Sequence, residues 1–278
     1  MPRLRRVLPL VAALAAAGCV PAEWGAGAIL TPYRKPVRAV PDLPFEEVAF
    51  SNGPVTLRGW VFRTSAPRRG WLVYLHGIGD NREGGTSFAK RFVPQGYDVL
   101  AYDSRGHGTS SGTYVTYGCE EKRDLVKALD AVGADRAVLF GCSLGGSVAL
   151  QAAAIDARVT AVIAQSPFAD LRSIVQDRKP WVFSEAKADE AIRIAEHRGG
   201  YLSREASALL AAPAIHVPVL LIHGARDHET RPQHSQRILA ALGGPKELRL
   251  VPGAGHNDTL AGADTWRAIE SWLARLPR

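Results

Sequence analysis

The most constraining feature of this chain is a series of short, unbroken apolar runs separated by segments of helical periodicity. Residues 71–75 read Trp-Leu-Val-Tyr-Leu, and comparable runs recur at 99–102, 137–140, 159–164, 217–222 and 248–251. A strand with one wet face alternates polar and apolar side chains, so a run without alternation is a strand covered on both faces, as in a parallel sheet. Between the runs, residues 120–132, 144–154, 235–242 and 265–276 repeat apolar side chains at helical spacing. The alternation implies βαβ units, with a mostly parallel central sheet and helices on both faces. Ahead of it, residues 46–50 and 55–63 read as two strands joined through Asn52, Gly53 and Pro54, a hairpin.

One interval breaks the rhythm. Residues 167–216 offer helix-like stretches at 185–197 and 204–212 but no strand, and are expected to form a small helical cap. The alternative is a long connection with one crossover helix. The folded domain is expected at 45–278, as one core. Residues 19–44 carry Pro21, Pro32, Pro36, Pro41 and Pro44 and are expected to be a proline-rich tether without a helix.

Residues 1–18 have a basic start, an apolar stretch at 7–17 and small residues before Cys19, the layout of a secretory signal. The Ala16-Ala17-Gly18-Cys19 run resembles a bacterial lipobox. It implies cleavage before Cys19, lipidation of its thiol, and a protein held at the membrane on the outer side of the bacterial inner membrane; a plain secreted protein is the alternative. The apolar stretch is too short to span a bilayer, which takes about 20 residues. The chain has 34 basic and 27 acidic residues, yet Arg3, Arg5 and Arg6 lie at the very start and the rest are scattered. With no basic run or recognition motif, nucleic acid is not an expected partner. The three cysteines and eight histidines match no zinc spacing, so neither metal nor cofactor is expected. Cys119 and Cys142 are open to two readings, a disulfide or buried free thiols.

Chemistry concentrates at Gly141-Cys142-Ser143-Leu144-Gly145, at the junction of an expected strand and helix. A strand turning sharply into a helix strains the backbone at its apex, and glycine on either side avoids clashes there. A serine hydroxyl needs a base to take its proton and a third group to orient that base. His256 follows the last apolar run within Gly253-Ala254-Gly255-His256. Asp227 follows the run at 217–222 and lies between serine and histidine in the chain. All three fall just past strand ends, where sites in open parallel sheets gather. The backbone amides of Leu144 and of Ile78, within His76-Gly77-Ile78-Gly79, are the expected oxyanion donors. His76 is expected to orient that loop.

These motifs, together with Asp103-Ser104-Arg105-Gly106-His107-Gly108 and the Pro218 to Gly224 run, resemble the α/β-hydrolase superfamily over residues 45–277, specifically its serine-aminopeptidase-like and BEM46-like branch, with bacterial lysophospholipase-like proteins. The resemblance implies an α/β-hydrolase fold and a serine hydrolase cleaving an ester or related acyl bond of a small-molecule or lipid substrate. It also implies that Asp103 and His107 are structural. A peptidase or amidase, an acyltransferase, and an inactive envelope-anchored binding protein are the alternatives. For a peptidase, Glu185, Asp189 and Glu190 would meet a substrate amino terminus, although a solvated helix face is the expected use of them. Phe168, Trp181 and Phe183 are open to two readings, walls of an acyl pocket or core packing.

Overall fold

The computed structural model describes residues 21–277, so the expected signal segment and Cys19 lie outside the described residues. Eight strands form one sheet: β1 (Glu46–Asn52), β2 (Val55–Phe62), β3 (Gly70–Leu75), β4 (Tyr97–Tyr102), β5 (Ala137–Cys142), β6 (Val159–Gln165), β7 (Val219–Gly224) and β8 (Lys246–Val251). Their spatial order is β1-β2-β4-β3-β5-β6-β7-β8. The hairpin pairs Asn52 with Val55 and Glu46 with Val61. β2 is antiparallel to β4, and every pairing from β4 to β8 is parallel.

The unbroken apolar runs have the expected cause. In β3, Trp71, Val73 and Leu75 join a core with Leu125 and Leu129 of α3 (Glu121–Ala131) and Leu150 of α4 (Leu144–Ala153). Leu72 and Tyr74 point the other way, onto Phe88 and Phe92 of α2 (Gly85–Phe92) and Trp272 of α9 (Ala263–Ala274). β8 departs from this pattern: it is an edge strand with mostly exposed residues, Leu250 among them at 42%. Lys246, Glu247 and Arg249 interrupt its apolar residues, as suits a strand that is last in the order with one edge unpaired. On that side, α8 (Gln233–Ala241) packs against β7 and β8.

Between β6 and β7 lie α5 (Leu171–Arg178), α6 (Glu185–Gly199) and α7 (Ala208–Ala211). Asp170 caps α5 through the Ser173 amide and Ser184 caps α6 through the Lys187 amide. The expectation of a helix-free tether is corrected here, because Ala22–Leu30 forms α1. Pro21 sits at its N-cap and Pro32 lies just past its end, so the prolines bracket nine residues instead of interrupting them. Ala22, Ala26, Ile29 and Leu30 form one buried stripe at helical spacing and pack with Ala191, Ile192 and Ala195 of α6. No helix among the described residues is long and apolar enough to cross a membrane.

Candidate active site

The turn from β5 into α4 carries Ser143 at φ 51° and ψ −111°, a conformation that L-residues seldom adopt. Its neighbours are glycines for a steric reason. A Cβ on Gly141 would stand 2.2 Å from the Gly145 carbonyl oxygen, and one on Gly145 would stand 2.2 Å from that of Leu75. The Ser143 amide donates to the Gln165 carbonyl at 2.7 Å, which pins the turn to the end of β6.

Loops from β7 and β8 bring the other two side chains to this point. His256 Nε2 lies 3.0 Å from Ser143 Oγ, and His256 Nδ1 lies 2.6 Å from Asp227 Oδ2. The two loops are joined directly, since the Arg226 amide donates to the Ala254 carbonyl at 2.9 Å. Asp227 is buried, and burial by itself raises a carboxyl pKa. Hydrogen bonds from His223, His256 and the Thr230 amide outweigh that effect and hold it well below the usual carboxylate range. An ionised Asp227 fixes the proton of His256 on Nδ1 and leaves Nε2 as the acceptor facing the hydroxyl.

The loop after β3 passes beside the serine, for a Cβ on Gly77 would lie 3.5 Å from Ser143 Cβ. Two buried histidines brace it. His76 Nε2 accepts from the Ser104 amide at 2.9 Å while Nδ1 donates to the Gly77 carbonyl at 2.8 Å. His107 Nε2 accepts from the Gly79 amide at 3.0 Å and Nδ1 donates to the Arg105 carbonyl at 2.9 Å. Burial lowers both pKa values, that of His107 to about 4, so both rings are neutral near pH 7. Asp103 accepts from the Arg82 amide and guanidinium and from the Thr109 amide and hydroxyl.

Ser143 opens onto two cavities. One, of about 230 Å³, is mainly apolar, with Phe168, Ile174 and Phe183 in its lining together with Leu144 and Ile78. The other, of about 270 Å³, is polar, with Asp80, Gln165, Glu229 and Asn257. Ile78 and Arg178 border both, whereas His256 borders only the polar one.

A family model described as the alpha/beta hydrolase fold matches residues 70–193. The chain has the α/β-hydrolase fold, and this match covers its central part. It is 30% identical over 195 residues to the quorum-quenching protein AidA of Acinetobacter baumannii, a match covering 66% of this chain and 60% of AidA. It is 29% identical over 265 residues to an uncharacterized protein of Mycobacterium tuberculosis, covering 91% of this chain and 89% of that one. Among solved structures, a Pyrococcus furiosus esterase superposes with a TM-score of 0.71 at 22% identity, over 88% of this chain and 99% of the esterase, a likeness of fold.

Sequence reasoning on this α/β-hydrolase overlooked two residues that hold the site. Gln165 Nε2 donates to the His256 carbonyl at 2.6 Å, and His223 stands behind Asp227. Their only sequence signal is a polar residue ending an apolar run. Of the three aromatic residues, Phe168 and Phe183 border the apolar cavity, but Trp181 does not; it is 91% exposed. Neither cavity is bordered by Glu185, Asp189 or Glu190, and Asp189 is paired with Arg172. Cys119 and Cys142 are free thiols; burial pushes that of Cys142 up to about 12.

Proposed function

We propose that this α/β-hydrolase is a serine esterase that cleaves an apolar acyl group from a polar alcohol by way of an acyl-enzyme. The observation that carries the reading is the relay from Ser143 Oγ through His256 to Asp227, with spacings of 3.0 and 2.6 Å. His256 takes the hydroxyl proton as Ser143 attacks the carbonyl, and Asp227 stabilises the imidazolium. The Leu144 amide, the first of a helix, has no intrahelical acceptor and with that of Ile78 would bind the oxyanion. Each such donor is worth about 2.7–4 kcal/mol in the transition state.

The two cavities support a placement for each end of the substrate. His256 must return its proton to the departing oxygen, so the leaving group belongs on the side where His256 is, the polar cavity. The acyl group then occupies the apolar one. Glu185, Asp189 and Glu190 border neither cavity, so they do not supply the carboxylate that a peptide amino terminus would need there. Export and acylation at Cys19 belong to the same proposal and rest on the sequence of residues 1–19.

The test is labelling of the purified protein with a fluorophosphonate probe, beside Ser143→Ala. Labelling of the wild type alone is expected. Equal labelling of both, or of neither at neutral pH, would remove the proposal.

A further inference from the structure

The apolar cavity is closed on one side by a segment outside the family match. Helix α1 places Gly25, Ala28 and Ile29 in its lining, together with Phe183 and Ala188 of the cap. The fit is close, since a Cβ on Gly25 would stand 2.9 Å from both the Ala191 Cβ and the Phe183 ring. The helix is also tied at its C-terminal end. The Ile29 carbonyl accepts from the Tyr117 hydroxyl at 2.9 Å and the Leu30 carbonyl from the Val115 amide at 3.0 Å. Tyr117 borders the same cavity, so the loop that fixes α1 also fixes its distance from Ser143.

We infer that α1 is the wall that sets acyl-chain length, with Ala28 and Ile29 as specificity-determining residues. The inference rests on the esterase reading above. A volume of about 230 Å³, at the ~30 Å³ that a water or a group of similar size fills, holds on the order of eight chain carbons. Fit in an apolar pocket discriminates by about 10–200-fold per methylene. The far walls, Phe168 and Ile174, are buried in the core. Ala28 is exposed at the rim, where a larger side chain has room to fold inward. Gly27, on the same helix, is a control position, because a Cβ there would meet nothing within 4 Å.

The experiment uses full-length wild type, Ala28→Trp, Ile29→Ala and Gly27→Ala, with kcat/KM measured on nitrophenyl esters from acetyl to dodecanoyl. The wild type is expected to favour medium chains. Ala28→Trp should lose about tenfold or more on octanoyl while keeping acetyl within about twofold. Ile29→Ala, which removes atoms from the wall, should shift the optimum to longer chains, and Gly27→Ala should keep the wild-type profile. Superimposable profiles for all four proteins, with turnover that depends on Ser143, would overturn the inference alone. Absence of Ser143-dependent turnover in the wild type would instead overturn the esterase reading and the inference with it.

Discussion

His223 stands directly behind Asp227, its Nε2 3.3 Å from the carboxylate oxygen that faces His256. Both side chains are buried. The same Nε2–H donates to the Thr230 carbonyl at 2.7 Å, which leaves Nδ1 to accept from the Ser235 hydroxyl, also at 2.7 Å. His223→Leu would orphan these two partners, at about 1–3 kcal/mol each, and take one donor from Asp227. We expect a lower melting temperature and a kcat reduced by about tenfold with KM little changed, since a hydrogen bond to a charged group is worth about 1.5–3 kcal/mol. Steady-state kinetics with thermal denaturation checks both. An unchanged kcat would show that Asp227 needs no support from behind.

The strained backbone of Ser143 opposes stability. A residue in such a conformation costs about 1–3 kcal/mol, and glycine relieves it at an entropic cost of about 0.5–1 kcal/mol. Ser143→Gly should therefore be inactive yet about 1 kcal/mol more stable than Ser143→Ala. Denaturant titration of the two variants makes the comparison. Equal midpoints would mean that the turn stores no strain.

Gly145 tolerates no side chain, because an added Cβ would meet the Leu75 carbonyl at 2.2 Å and backbone cannot yield as a side chain can. Gly145→Ala should cost about 3 kcal/mol or prevent soluble expression. A well-folded variant with the wild-type melting temperature would contradict the close approach of α4 to β3.

Acid should destabilise the protein in two steps. His107, with its pKa lowered to about 4, is neutral in the fold but protonates in the unfolded chain near 6.5. The unfolded state therefore binds more protons between those values, and stability falls as pH drops from about 6.5 to 4. Asp227, with its pKa depressed, adds stability above the ordinary carboxylate range that is lost as pH falls further. Melting temperatures measured from pH 7 to pH 3 should decline throughout. His107→Gln should flatten the upper step; an unaltered slope there would assign it to another group.

If Cys19 is acylated, cells fed labelled palmitate should incorporate label into the wild type but not into Cys19→Ala, and detergent should be needed to release the wild type alone. Label in neither protein, with an intact amino terminus by mass spectrometry, would remove the anchor.

Local sequence determined the layers of this fold and the location of its chemistry. Apolar runs of strand length fix which segments are covered on both faces, and Gly141 reflects a contact within its own turn, with the Gly145 carbonyl, whereas Gly145 answers the Leu75 carbonyl of β3. The order of Ser143, Asp227 and His256 is legible because strand ends in a parallel sheet collect at one edge. What tertiary structure decided depends on partners remote in the chain. β8 lies at the edge because of the strand order, a position that its Lys246, Glu247 and Arg249 suit but do not by themselves fix. Gln165 and His223 support the site through contacts across the sheet and behind a loop. The helix α1 contains two glycines and has a weak intrinsic preference for its state. It forms because Ala22, Ala26, Ile29 and Leu30 are buried against α6 and the 115–117 loop, and that packing turns a stretch resembling a linker into a wall of the cavity beside Ser143.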